Sequence, residues 1–272
     1  MNLLKYAFRI FISLCLLSAC SQQSGDTAKN NSGLPPDNGQ QIDEKAVAII
    51  EKAVEQHGGP VYDNLQLEFD FRDRHYRGTR QNGYYRYERI FADSLGQQVH
   101  DFLDNNGFTR LVAGDTVALP AERIAAFSSS VNSVLYFVLL PALLRDPAVQ
   151  ASYLDTATVK GEPYHKVLVT FKQESGGEDF QDEYVYWFHQ QTGLMDYLAY
   201  NYQTEGGGAR FREAVNRRQT GGVTFSDYIN YKPRDDNQAV ASFDSLFENG
   251  QLQELSRIVT ENEQAGTITP KQ

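Results

Sequence analysis

The chain has 272 residues, with 35 acidic side chains against 25 Lys or Arg, and a formal net charge of -10. That balance argues against nucleic acid as a partner and against electrostatic docking on anionic head groups. Of its two cysteines, Cys15 and Cys20, only the second is expected to survive processing, so no disulfide can brace the fold and its stability must come from its core.

Processing is read from the first twenty residues. Lys5 and Arg9 accompany an apolar run from Ile10 to Leu17, well below the roughly 18 to 20 residues that a membrane span needs. The run closes on Leu17-Ser18-Ala19-Cys20, which resembles a bacterial lipobox, where small residues fit the lipoprotein signal peptidase and the cysteine thiol receives a diacylglycerol. Residues 1–20 are thus expected to be a lipoprotein signal peptide and Cys20 the lipidated residue. Residues 21–43, rich in Ser, Gln, Asn, Gly and Pro, read as a flexible tether with a random-coil reach of about 25 to 30 Å. Ser21 behind the lipidated cysteine, with no acidic run following, implies retention in the outer membrane facing the periplasm.

From residue 44 the pattern is that of a folded domain, expected to run to 232. Ala46, Ile49, Ile50, Ala53 and Val54 recur at helical spacing, Asp43 and Glu44 suit the N-terminal dipole, and Gly58-Gly59-Pro60 ends the helix. His57, before the glycines, fits a capping role. The period then falls to two. Leu65, Leu67, Phe69 and Phe71 alternate with polar residues, and similar runs follow at 75–81, 84–91, 97–104 and 108–113, separated by turn sequences such as "QNG", "DSLG" and "DNNG".

A helical block interrupts the strands between 120 and 147. It contains "SSSVNSVLYFVLLPALLRDP", uncharged from Ala125 to Leu144 and continuously apolar from Val134 apart from Pro141. Pro141 removes a backbone hydrogen bond and is expected to kink the segment. Strand patterning resumes at 152–160, 164–172, 182–189, 194–203, 209–217 and 223–231. The total is about eleven antiparallel strands. Residues 233–272 read as a helical appendage that frays after Glu261.

The five histidines, His57, His75, His100, His165 and His189, each stand alone, with no spacing that a metal would need. No serine sits in a nucleophile elbow, and the glycine clusters lead from strand to strand rather than strand to helix, so no cofactor is expected. In "RDRHYRGTRQNGYYRYER", arginines alternate with tyrosines. Most of them should face solvent and pair with Glu68, Asp70, Glu88 and Asp101 across neighbouring strands; a rim for an anionic group, at Arg74 and Arg86, is the alternative.

The order of parts, a lipobox and tether, one amphipathic helix, a strand meander and an apolar helical insertion, resembles the LolA/LolB-type lipoprotein carriers. Closer still, "HGG" at 57–59, "LEFDFRD" at 67–73, "YFVLLPALLRDP" at 136–147, "YHKVLVTF" at 164–171 and "DEYVYWFHQQTGLMDYLAY" at 182–200 are similar to an uncharacterised domain family of Bacteroidetes-type lipoproteins. The resemblance implies a mainly β (α+β) fold, a half-open antiparallel barrel of about 11 strands whose concave apolar face is closed by an N-terminal helix and a mid-chain helical lid. It implies no catalytic residues.

Three functions follow as expectations. The first is a non-enzymatic, membrane-anchored protein that binds a lipid or other hydrophobic ligand. Val134, Leu135, Tyr136, Phe137, Val138, Leu139, Leu140, Leu143 and Leu144 would line its cavity or lid, with Phe71, Tyr184, Tyr186 and Trp187 as the opposite wall. The second is an interaction or assembly module in which the same helices fill the barrel. The third is an envelope hydrolase with Asp101, Asp182 or Glu183 as acids, which would require a converging carboxylate pair in a polar cleft.

Overall fold

Helix α1, Glu44–His57, forms where the sequence places it. Asp43 caps it, one carboxylate oxygen accepting the Ala46 N–H at 3.0 Å while the other accepts the Tyr153 N–H at 2.7 Å. One side chain therefore starts the helix and ties it to a strand. Ala46, Ile50, Ala53 and Val54 form its buried stripe. The structure, a computed structural model, describes residues 42–172, 182–203, 207–236 and 239–268. The expected signal peptide, the lipidated Cys20 and all but the last two tether residues lie outside them.

The strands make two antiparallel sheets of seven. The first contains β1 (Asn64–Phe71), β2 (Arg74–Gln81), β3 (Tyr84–Ala92), β4 (Gln98–Asp104), β5 (Gly107–Val112) and β6 (Asp115–Thr116) in sequential order, with β14 (Glu261–Thr267) added beside β1. The second runs through β7 (Val149–Val159), β8 (Glu162–Phe171), β9 (Tyr184–His189), β10 (Met195–Tyr202), β11 (Gly208–Thr220) and β12 (Val223–Pro233), ending on β13 (Leu252–Ile258). Helix α2, Ala121–Leu139, connects β6 to β7 through a 3-10 turn at Ala142–Arg145. The edges β6 and β7 are not paired with each other. Two sheets joined on one side and open on the other are compatible with a half-barrel.

The joined side differs from expectation. Residues 252–267 are not a helical appendage: they form β13 on the second sheet and β14 on the first, and only Phe243–Glu248 is α-helical there (α3). The strands were hidden because the segment is solvated on most of its side chains and so lacks apolar alternation; backbone pairing places it. The corner between β13 and β14 is held by Arg218, which pairs with Asp227 and Glu263 and donates to the Thr260 carbonyl. Gly221, in the β11–β12 turn at φ +57°, lies so close to β14 that a Cβ would fall 1.8 Å from the Ala265 carbonyl oxygen. Only glycine permits both that φ and that approach.

Pro141 also acts differently from its expected kink. Helix α2 has ended by Leu139, and Pro141 opens the 3-10 turn that follows. A residue without an N–H stops the helix rather than bending it.

Candidate binding site

Helix α2 lies between the sheets and presents a different face to each. Val131, Leu135 and Leu139, four residues apart, are fully buried on the side of the first sheet. There Gly78 of β2 leaves room for Leu135, whose Cδ1 would stand only 3.1 Å from an added Cβ. The other face meets the second sheet through aromatic rings. Phe137 and Tyr200 have ring centroids 5.4 Å apart, and the Tyr136 and Tyr184 centroids are 6.4 Å apart. The Tyr136 hydroxyl meets that of Tyr186 at 3.2 Å. Burial pushes the Tyr186 hydroxyl well above its ordinary pKa, which keeps it a neutral hydrogen-bonding group.

The first half of α2 is pinned by charge. Asp101 on β4 is fully buried and accepts from Arg89 at 2.9 and 2.6 Å and from Arg110 at 2.6 and 3.0 Å. Arg89 also donates to the Ser130 hydroxyl at 2.7 Å, and the Arg110 guanidinium lies 3.7 Å over the Phe127 ring. Asp101 is thus sealed under the helix, not an acid facing a cleft. Asp182 is buried and Glu183 exposed, both just ahead of β9 in the other sheet. Among the described residues, no three His, Cys, Asp or Glu cluster as metal ligands would.

A cavity of about 640 Å³ opens at the second half of α2. The first sheet contributes Arg80, Tyr85, Tyr87 and Asn105; the helix contributes Ser129, Asn132, Ser133, Tyr136 and Phe137. Leu143 and Asp146 close one side, and Phe171 and Tyr184 of the second sheet form the wall opposite. Aromatic rings therefore line the interior, and amide, hydroxyl and charged groups stand among them. Arg80 donates to the Tyr87 hydroxyl at 2.8 Å, and Asp146 lines the same cavity. Burial raises the Tyr87 pKa against the opposing charge of Arg80, so that hydroxyl too stays neutral.

Of the residues expected to line a site, Tyr136, Phe137, Leu143 and Tyr184 do so. Leu135 and Leu139 serve the dry contact with the first sheet, Val134 and Leu144 belong to the surrounding core, and Val138 and Leu140 border a separate gap of about 10 Å³. Phe71 lies on the inner face of the first sheet beside Tyr76, their ring centroids 6.5 Å apart, away from the cavity. Trp187 is on the wrong face altogether: it packs with Phe211, Val240 and Phe243 on the outer side of the second sheet, under the cover formed by residues 240–248. The anion rim does not form either. Arg74 is beside Asp73 and Phe91 toward the inner face, while Arg86 pairs with Glu88 over Phe102. Their strand positions put them on opposite faces, since Tyr87 and Phe71 point inward and Arg86 and Arg74 hold the alternate and matching registers respectively.

A family model matches residues 37–261. The chain belongs to the family of unknown function DUF6503. No curated protein matches it in sequence. Among solved structures, this DUF6503 chain is similar to a LolA superfamily protein from Nitrosomonas europaea, at 13% identity over 83% of this chain and 94% of that one, with a TM-score of 0.45. It is similar to a Vibrio parahaemolyticus domain described as outer membrane lipoprotein-sorting, at 9% identity over 84% and 95%, TM-score 0.45. A third likeness is to the Mycobacterium tuberculosis lipoprotein LppX, at 11% identity over 60% and 90%, TM-score 0.27. Likenesses this distant leave the function to the geometry of the chain itself.

Proposed function

We propose that the domain holds a lipid or another hydrophobic ligand, without chemically converting it, in the cavity between α2 and the two sheets, and does so from an outer-membrane lipid anchor at Cys20. The observation that carries this reading is the cavity: its volume of about 640 Å³ lies within the roughly 300 to 1,000 Å³ common for small-molecule sites, and such sites join an apolar lining to a few placed polar groups. Tyr85, Tyr136, Phe137, Phe171 and Tyr184 provide the lining, and Arg80, Asn105 and Asn132 the polar groups.

A filled assembly module is the second reading, favoured by the dry contact of Val131, Leu135 and Leu139 with the first sheet. Native mass spectrometry of the purified chain separates the two. Ligand binding predicts a co-purifying acyl mass or saturable uptake of a fluorescent fatty acid. A clean unliganded mass with no uptake would leave the filled module.

A further inference from the structure

Among the described residues, one buried cation lacks the counter-charge that the other buried ones, Arg89 and Lys166, have. Arg212, on β11, is 8% exposed. Its Nη2 donates to the Tyr200 hydroxyl at 2.8 Å, and its guanidinium carbon sits 3.7 Å over the Phe137 ring. Among the described residues no carboxylate pairs with it, and its Nε is buried with no hydrogen-bond partner. Arginine stays protonated in proteins, and a buried charge is costly unless it is paired and hydrogen-bonded. Arg89 and Arg110 meet that requirement through Asp101. Arg212 does not.

Its surroundings extend the polar deficit. Directly across the strand pair, Asn230 has a buried amide oxygen with no partner, while its amide nitrogen donates to the Ser256 hydroxyl at 3.2 Å. If that amide turned over, the oxygen would accept from Ser256 and the nitrogen would join Arg212 Nε as a second donor. Donors of both kinds would then await one acceptor.

The Phe137 ring borders both this spot and the main cavity. Phe137 lines the 640 Å³ cavity and also the small gap beside Tyr228 and His57, and Arg212 lies against its face. Phe137 follows Tyr136 near the end of α2 and is only partly buried, so a rotamer change can move its ring without unmaking the buried contacts of Leu135 and Leu139. Building on the ligand-binding reading above, we propose that Phe137 is a gate and Arg212 the receptor for the acidic group of the ligand, so that the cavity selects amphiphiles with a carboxylate or phosphate head over neutral ones of equal length. Arg80 is the competing candidate. It is less buried and lines the cavity together with Asp146, whose negative charge opposes an anion there.

The test is displacement of the neutral fluorophore N-phenyl-1-naphthylamine from the full chain by dodecanoate and by dodecanol at pH 8, where the acid is ionised. Dodecanoate should compete at least tenfold better in the unmodified protein. Arg212→Gln should abolish that preference and leave dodecanol and the fluorophore unchanged, Arg212→Lys should retain part of it, and Phe137→Ala should speed dodecanoate uptake. Equal competition by acid and alcohol in the unmodified protein overturns the inference while ligand binding stands, and needs no variant to fold. Loss of the preference in Arg80→Gln with its retention in Arg212→Gln overturns it as well. Failure of the unmodified chain to take up the fluorophore or either competitor defeats the ligand-binding reading itself.

Discussion

The two sheets differ in how many of their faces are covered. The first has one wet face, where Glu68 and Arg77, Glu88 and His100, and Asp70 and His75 pair across strands in the open. The second is covered twice, by α1 and α2 on its inner face and by residues 240–248 on its outer one. Lys166 helps to hold that outer cover, donating to the Ala241 carbonyl at 2.6 Å and pairing with Asp244 at 3.1 Å. A half-covered sheet can spend side chains on solvation, whereas a doubly covered one must bury nearly all of them. Mutations at equivalent outer-face positions should therefore have very different effects in the two sheets.

Trp187→Ala offers the widest contrast. It opens a void under the outer cover and should cost about 3 to 5 kcal/mol in urea denaturation, with ligand affinity unchanged because Trp187 is not in the cavity wall. A large affinity loss would mean that the two faces are not independent. Gly221→Ala tests the joint between the sheets: a left-handed alanine meeting the β14 backbone should cost about 3 kcal/mol, read as a lower midpoint with an unchanged denaturant slope.

His57 allows a comparison by pH. Burial holds its pKa down to about 4, against an ordinary value of 6.5, while a bond from Nδ1 to the Ala53 carbonyl at 2.8 Å opposes that shift. As pH falls through 6.5 the unfolded chain takes up the proton and the folded one does not, so the contribution is complete above 6.5 and lost as pH falls to about 4. The loss should be on the order of 3 kcal/mol. His57→Gln should flatten that slope between pH 7 and 4; an unchanged slope would place the acid sensitivity elsewhere. Smallest of all, Arg77→Ala on the wet face of the first sheet should alter stability by less than about 0.5 kcal/mol.

The same contrast explains what could be read from the sequence. In the first sheet, Leu65, Leu67 and Phe69 alternate with polar neighbours, so strand and inner face were both legible. In β9 every residue from Tyr184 to Phe188 is buried, so the strand was legible but its faces were not, and Trp187 was assigned to the cavity. The short β6 and the solvated β13 and β14 gave no periodic signal. In α2 the apolar run from Val134 carried no mark of a cavity side, because the split between Leu135 and Phe137 depends on helix rotation against two sheets. Arg212 was not legible at all: within "ARFREAVNRR" it is one of four arginines, and only the fold shows which of them is buried without an acid.

The run from β13 to β14 has a further meaning. Its two halves complete different sheets, with Thr267 reaching back to Leu65 and Ile258 lying beside Tyr228. Neither sheet can finish without the other, which makes one hairpin-free ribbon the element that converts two layers into a single cooperative unit. Heat or denaturant should melt both sheets in one transition seen alike by far-ultraviolet circular dichroism and by Trp187 fluorescence. A chain cut after Gln251 should separate those two signals, or lose the transition entirely.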